Sequence, residues 1–392
     1  MHALILGARA PACLEWARAL TAENWQVSVA DSLRWPLTKF SAAGKHYWQL
    51  PAPRENPARW IQALKTLVQE QEIDWIIPTC EEVFYLAWGA AELRPYCQLF
   101  TSEFALLAQL HNKGLFAQMT QRWPITTPKT HIISNRDELE KYYPHAQQYV
   151  FKPAFSRFAA HILLRPSPQQ LVAIKPTAQT PWVAQEFVVG KEHCSFSLIN
   201  QGKLITHACY HPRYRVGRGS GIYFEVTQPK AIEEFVQTFA RETNYNGQVA
   251  FDFIEDNNGD FFVLECNPRA TSGIHLFNNN SAALLNGIVL QDNNRAQQYR
   301  VFYPSTNPRM STMGMLLFAA VKQGWQKIFW QDYARAQDVI THSGEYRPHY
   351  AQLLGLAEMI TRALQQRCSL LSAVTTDIEW DGQPMSDKEN AS

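Results

Sequence analysis

Apolar residues run from Ala3 to Leu6, Gly7 and Pro11 punctuate the next stretch, and Leu14, Ala17 and Leu20 then recur at helical spacing. That pattern predicts a strand, a turn and a helix. Gln26 to Asp31 alternates through Val27 and Val29, while Trp60, Leu64, Leu67 and Val68 mark a second helix ahead of an apolar strand from Asp74 to Pro78. Alternating strands and helices imply a parallel α/β sheet. From Thr101 or Ser102, helix-start residues precede Phe104, Leu107 and Leu110, and another helix ends at Trp123-Pro124.

The pattern changes at Tyr149. Tyr149–Lys152, Trp182–Phe187, Cys194–Ile199 and Leu204–Tyr210 read as antiparallel strands, Ala231–Thr243 as a helix, and Val249–Glu255 with Phe261–Cys266 as a hairpin closed by Asp256-Asn257-Asn258-Gly259. Pro304–Pro308 reads as a linker before two helical stretches, Met315–Trp330 and Tyr350–Leu364. Trp325, Phe329, Trp330 and Tyr333 could line a pocket, but their helical spacing reads as core. The polar residues from Gln383 onward are expected to be disordered. The resulting division is 1–100, an α/β domain; 101–303, split at 184/185; 304–382, a partly helical segment; and a tail at 383–392.

Composition narrows the function classes. Lys+Arg 36 against Asp+Glu 35 gives a net charge of +1, which disfavours nucleic-acid and membrane-surface binding. The apolar stretch Met313–Val321 is about half of the ~18 residues a membrane span needs. Seven cysteines without a C-x-x-C pair suit a reducing, cytoplasmic setting.

The hairpin carries the most informative side chains. Period-2 alternation puts Glu265 and Asn267 on one face, and the register across the turn can bring Asp252 beside them. Two carboxylates and an amide are hard oxygen donors suited to Mg²⁺. Lys152 ends the strand Tyr149–Pro153, where an ammonium can meet a phosphate, and Lys113 offers a second compact charge.

The order Asn112-Lys113-Gly114, Val150-Phe151-Lys152-Pro153, Gln185-Glu186-Phe187-Val188-Val189-Gly190-Lys191-Glu192, Phe251-Asp252-Phe253 and Leu264-Glu265-Cys266-Asn267-Pro268-Arg269 resembles the ATP-grasp superfamily over roughly residues 100 to 280. With the α/β segment in front, it looks like the branch that includes carbamoyl-phosphate synthetase large subunits, biotin carboxylase and amino-acid ligases. The resemblance implies a Rossmann-like α/β domain followed by an ATP-grasp fold with antiparallel sheets. It also implies a ligase that activates a carboxylate as an acyl phosphate with Mg·ATP, or Mn²⁺ in its place, and couples it to an amine, releasing ADP and phosphate.

By that resemblance Lys113 and Lys152 neutralise phosphates, Glu186, Phe187 and Val188 form the hinge that reads adenine, and Glu192 holds the ribose. Asp252, Glu265 and Asn267 hold the metal, and Arg269 faces the transferring phosphoryl group. The partners would be small-molecule carboxylates and amines, with no nucleic acid or membrane and with a homodimer left open. The family's glycine-rich phosphate loop is replaced here by Pro153-Ala154-Phe155-Ser156-Arg157-Phe158-Ala159-Ala160, which has no glycine. Ser156 or Arg157 would have to replace missing contacts. An ATP-binding module without turnover is therefore a rival, and a biotin carboxylase-like enzyme that activates bicarbonate is another.

Between hinge and hairpin, Arg213, Arg215 and Arg218 lie within a Tyr- and Gly-rich stretch and suggest a small-anion pocket, with a solvated loop as the alternative. His275 is a candidate proton carrier or a structural histidine. His207 and His211 would share a metal only on a helix, and their segment reads as extended. Cys266 falls on the opposite strand face from the ligands and reads as packing. Gly7-Ala8-Arg9-Ala10 lacks G-x-G-x-x-G, so Asp31 is weak support for an NAD-dependent oxidoreductase.

Overall fold

The computed structural model describes residues 1–155, 162–217, 219, 221–278, 280–289, 300–342 and 344–385. The first sheet is wholly parallel, in the order β3-β2-β1-β4-β5, from β1 (His2–Leu6), β2 (Gln26–Asp31), β3 (His46–Gln49), β4 (Trp75–Ile77) and β5 (Gln98–Leu99). Helices α1 (Pro11–Ala22), α2 (Pro57–Glu70) and α3 (Glu82–Trp88) cover it. Gly7, at φ +75°, makes the turn from β1 to α1, and a Cβ there would stand 2.6 Å from Thr79 Oγ1. This is the expected α/β unit.

Helices α4 (Phe104–His111) and α5 (Lys113–Thr120) lead to a four-stranded antiparallel sheet in the order β6-β9-β7-β8. Its strands are β6 (Thr130–Ile133), β7 (Tyr149–Pro153), β8 (Leu163–Leu164) and β9 (Trp182–Glu186). A seven-stranded sheet comes next, ordered β14-β13-β10-β11-β12-β15-β16. It contains β10 (Gly190–Asn200), β11 (Lys203–Arg215), β12 (Gly221–Thr227), β13 (Gly247–Asp256), β14 (Phe261–Asn267), β15 (Arg309–Met310) and β16 (Gln337–Asp338). All neighbours are antiparallel except β15 and β16.

Helix α6 (Lys230–Thr243) lays Ile232, Phe235, Val236 and Phe239 into the core, where Phe251 meets Phe239 edge-on at 5.0 Å. Each fully buried Phe contributes roughly 2–3 kcal/mol of apolar burial. The first domain is fastened to this sheet through Trp16, whose Nε1–H donates to Gln248 Oε1 at 2.9 Å. Gln248 in turn donates to the Pro78 carbonyl at 2.6 Å.

Two expectations need correction. Met315–Trp330 is not one helix: a π-turn spans Met315–Ala319, and α7 (Lys327–Arg335) starts after a break. Only Phe329 of its aromatic group is fully buried, while Trp325 is 82% exposed and Trp330 47%. Helical spacing reveals an amphipathic face but not which partner covers it.

The long helix α8 (Arg347–Gln366) packs on the first domain, and the chain then folds back as a strap over residues 374–385. Gln383 donates to the Gln179 carbonyl at 3.0 Å, so order extends past the expected start of the tail. The rest of that tail, 386–392, lies outside the described residues.

Candidate nucleotide and substrate site

Four of the five sequence motifs line one cavity of about 560 Å³ between the two antiparallel sheets and the first domain. The fifth, Asn112-Lys113-Gly114, adjoins it through Glu265. That volume suits a nucleotide-sized ligand. Asn112 caps α5 by accepting from Gly114 N–H and Leu115 N–H, and Lys113 N–H donates to the Ala154 carbonyl at the end of β7. Gly114 lets the helix sit against Ile132, which a Cβ would meet at 2.4 Å. Asn-Lys-Gly thus caps, charges and seats one helix end.

Lys113 and Lys152 are both buried. Lys113 Nζ lies 3.6 Å from Glu265 Oε2. Lys152 Nζ donates to Gln185 Oε1 at 3.0 Å and to the Leu264 carbonyl at 3.4 Å. Burial pulls Lys152 down to about 8, with Glu265 and Asp252 opposing and Lys113 assisting.

The hairpin register pairs Asp252 with Glu265 and Ala250 with Asn267. Asn267 Nδ2 donates to Asp252 Oδ2 at 3.3 Å, so the three proposed ligands converge. Burial and the neighbouring Glu265 charge push the Asp252 carboxyl up. Burial acts the same way on Glu265, but Lys113 and Lys152 outweigh it and hold that carboxyl down. Among the described residues no three His, Cys, Asp or Glu side chains converge as a metal group. A hard cation would find two carboxylates and an amide here and would need phosphate oxygens and water to complete six positions.

Arg269 Nη2 donates to Asn267 Oδ1 at 3.0 Å, and Arg269 Nε stands 3.5 Å from Glu81 Oε1. The sequence reading missed Glu81. Its signal was Cys80-Glu81-Glu82 directly after β4, at the carboxyl end of a parallel strand, where open α/β sheets place ligands.

The hinge N–H groups of Glu186 and Phe187 donate to the carbonyls of Lys129 and Gln148. Around the hinge, Val150, Ile162, Leu164, Ile254 and Leu264 line an apolar slot, also missed, because each looks like core in sequence.

Glu192 is ion-paired with Arg215, which also donates to the Gly219 carbonyl at 2.6 Å. Arg213 is not among the cavity-lining residues and pairs with Asp332 at 3.2 Å. Arg218 lies outside the described residues, as do Ser156 and Arg157. His275 lines the cavity, and its Nδ1 lies 3.0 Å from Glu15 Oε1, linking the two domains. His207 sits on extended β11 and bonds Ser197 Oγ at 2.9 Å.

Residues 110–273 match the family model described as an ATP-grasp domain. This chain carries an ATP-grasp domain. No curated protein matches the sequence. Among solved structures, this chain is similar to L-amino acid ligase from Bacillus licheniformis, with 16% identity, TM-score 0.58, and 73% of this chain and 74% of that one covered. It is also similar to N5-carboxyaminoimidazole synthetase from Staphylococcus aureus, with 12% identity, TM-score 0.59, and coverage of 83% and 86%. Phosphoribosylamine–glycine ligase from Thermotoga maritima gives 18%, 0.56, and 78% of both chains.

The first domain does not offer a dinucleotide crevice. Asp31, placed to hold a ribose in such folds, is taken by Arg9 at 2.6 Å, and Arg9 also binds Asp377 of the strap at 2.6 Å. The void left beside Gly7, Asp31 and Ile378 is about 20 Å³, room for about one water. The strap instead serves the main cavity, which Val374, Thr375 and Ile378 help to line opposite Ala10 and Ala12. Trp380 pins the strap within an aromatic cluster of Phe84, Phe104, His111 and Phe155. Burial holds His111 down to about 4, so a neutral imidazole faces that indole.

Proposed function

We propose that the protein is an ATP-dependent ligase that phosphorylates a small-molecule carboxylate and passes the acyl group to an amine, releasing ADP and phosphate. The observation that carries this reading is the convergence of Lys113, Lys152, Asp252, Glu265, Asn267 and Arg269 around a cavity that also holds an apolar slot and a hinge. In it the base lies in the slot against Glu186, Phe187 and Val188, and the two lysines meet the phosphate oxygens. Glu192 takes the ribose hydroxyls once Arg215 yields. Asp252, Glu265 and Asn267 would hold Mg²⁺, which would supply neutralisation of phosphate charge.

The chain's own share is alignment and electrostatics. Lys152, dry and with no carboxylate within ion-pair distance among the described residues, gains a partner when a phosphate arrives, and the planar Arg269 fork suits the transferring group's oxygens. Among the described residues no helix is long and apolar enough to cross a membrane. A cytoplasmic setting belongs to the same reading.

The test is Mg²⁺-dependent turnover against pooled carboxylates and amines, with ADP, AMP and phosphate measured separately. ADP and phosphate that appear only with particular pools support the ligase. AMP would move the chemistry to adenylation and overturn the acyl phosphate. A second reading, a nucleotide-binding module without turnover, is favoured by the glycine-free 153–160 stretch. Tight Mg·ATP binding with no phosphate release in any pool would support it.

A further inference from the structure

Helix α8 is held firmly on one side and bare on the other. Pro348, Ala351 and Met359 are buried, Glu358 accepts from the backbone N–H groups of Arg34 and Trp35 at 3.0 and 2.9 Å, and Arg362 pairs with Asp377 at 3.1 Å. The outward face carries Tyr346, Tyr350, Leu353, Ala357, Ile360 and Leu364, all exposed, with Leu364 at 75%. A helix facing water is ordinarily polar on that side, and an apolar stripe fixed in place marks a contact surface.

We propose that this stripe pairs antiparallel with α8 of a second copy of the chain. The outward positions are separated by steps of 4, 3, 4, 3 and 4 residues, the spacing of a two-helix seam, and the series is the same read from either end. A two-fold axis level with Gly355 therefore sets Tyr346 beside Leu364, Tyr350 beside Ile360, and Leu353 beside Ala357, each pair formed twice. Small Ala357 falls next to the axis, where the helices approach most closely.

Such self-matching is what an isologous contact requires. The stripe offers roughly 700 Å² of accessible surface per copy, close to the about 800 Å² per partner of a standard stable interface. Charge does not favour another occupant. Between Arg347 and Arg367 the helix's charged residues are Glu358 and Arg362, and both are engaged with the first domain or the strap.

The test is sedimentation equilibrium of the full chain across roughly 1–50 µM, a range that brackets a micromolar dimer. The wild type is expected to dimerise. Leu353→Glu with Ile360→Glu should weaken the dimer roughly 100-fold or more. Gln366→Glu, off the seam and exposed, should leave it unchanged. Circular dichroism and Mg·ATP affinity equal to wild type show that each variant is folded, and Leu364→Gln provides a milder break at the same seam. A wild type that stays monomeric, a dimer that survives the double variant, or wild-type chain that partitions onto phosphatidylcholine–phosphatidylglycerol vesicles instead of pairing overturns the proposal.

Discussion

The hinge end and the strap end of the cavity are built on opposite principles. At the hinge end, two lysines are buried about one close carboxylate, Glu265, and Lys152 is pulled down to about 8 mainly by that burial. At the strap end the polar side chains answer one another: Arg9 with Asp31 and Asp377, and His275 with Glu15. An end that buries two lysines beside two carboxylates leaves charges for a phosphate and a cation to engage, whereas an end whose side chains pair off supplies shape. The chemistry is thus expected at the first and selection among acceptors at the second.

The largest effect should come from removing a charge at the hinge end. Glu265→Gln is expected to lower the proposed ligase turnover about 1,000-fold or more, because the proposed cation site would lose one of two carboxylates. Turnover within tenfold of wild type, in a folded variant saturated with Mg²⁺, would break the contrast. Trp380→Ala should act on stability instead, costing roughly 3 kcal/mol through the cavity left in the aromatic cluster, read by denaturant unfolding. Unchanged resistance of residues 374–385 to proteolysis would show that the strap does not depend on the indole.

A subtler effect belongs to Asp377. Burial raises its carboxyl, but Arg9 more than reverses this and holds it at about 2, below the ordinary value near 3.9. Its charge therefore contributes stability that is complete above about pH 4 and is lost as the pH falls through 2, worth roughly 2 kcal/mol. Melting curves across that window should converge for wild type and Asp377→Asn, and parallel curves would count against the linkage. The smallest effect is expected from Arg213→Ala, which faces Asp332 outside the cavity. Nucleotide and acceptor KM should stay within twofold, and a selective loss of acceptor binding would place Arg213 in the site after all.

How much of this was readable in the sequence obeys the same division. A bulge just past Val263, which no sequence signal marks, is what brings Asp252 opposite Glu265; strand alternation by itself put only Glu265 and Asn267 on one face. Lys152 stood at a strand end for the same local reason. Glu81 could not be matched to Arg269, because 188 positions separate them and no local period links the two. The slot residues Val150, Leu164 and Leu264 are indistinguishable from core until the sheets are seen to part around them. Residues 374–382 fell at the end of the partly helical 304–382 segment, where no local pattern marks a strap. Their order comes from distant partners, above all Arg9.

The strap also sets the order in which the molecule can be made. Arg9 leaves the ribosome early, but its partner Asp377 lies 368 residues behind it, roughly 20–70 s of synthesis. Until then the turn after β1 carries a buried-to-be guanidinium that Asp31 and Ser32 answer without Asp377, and the cavity lacks one wall. A nascent chain can fold its parallel sheet and the β13–β14 hairpin but cannot close the strap end of the cavity before Trp380 has emerged.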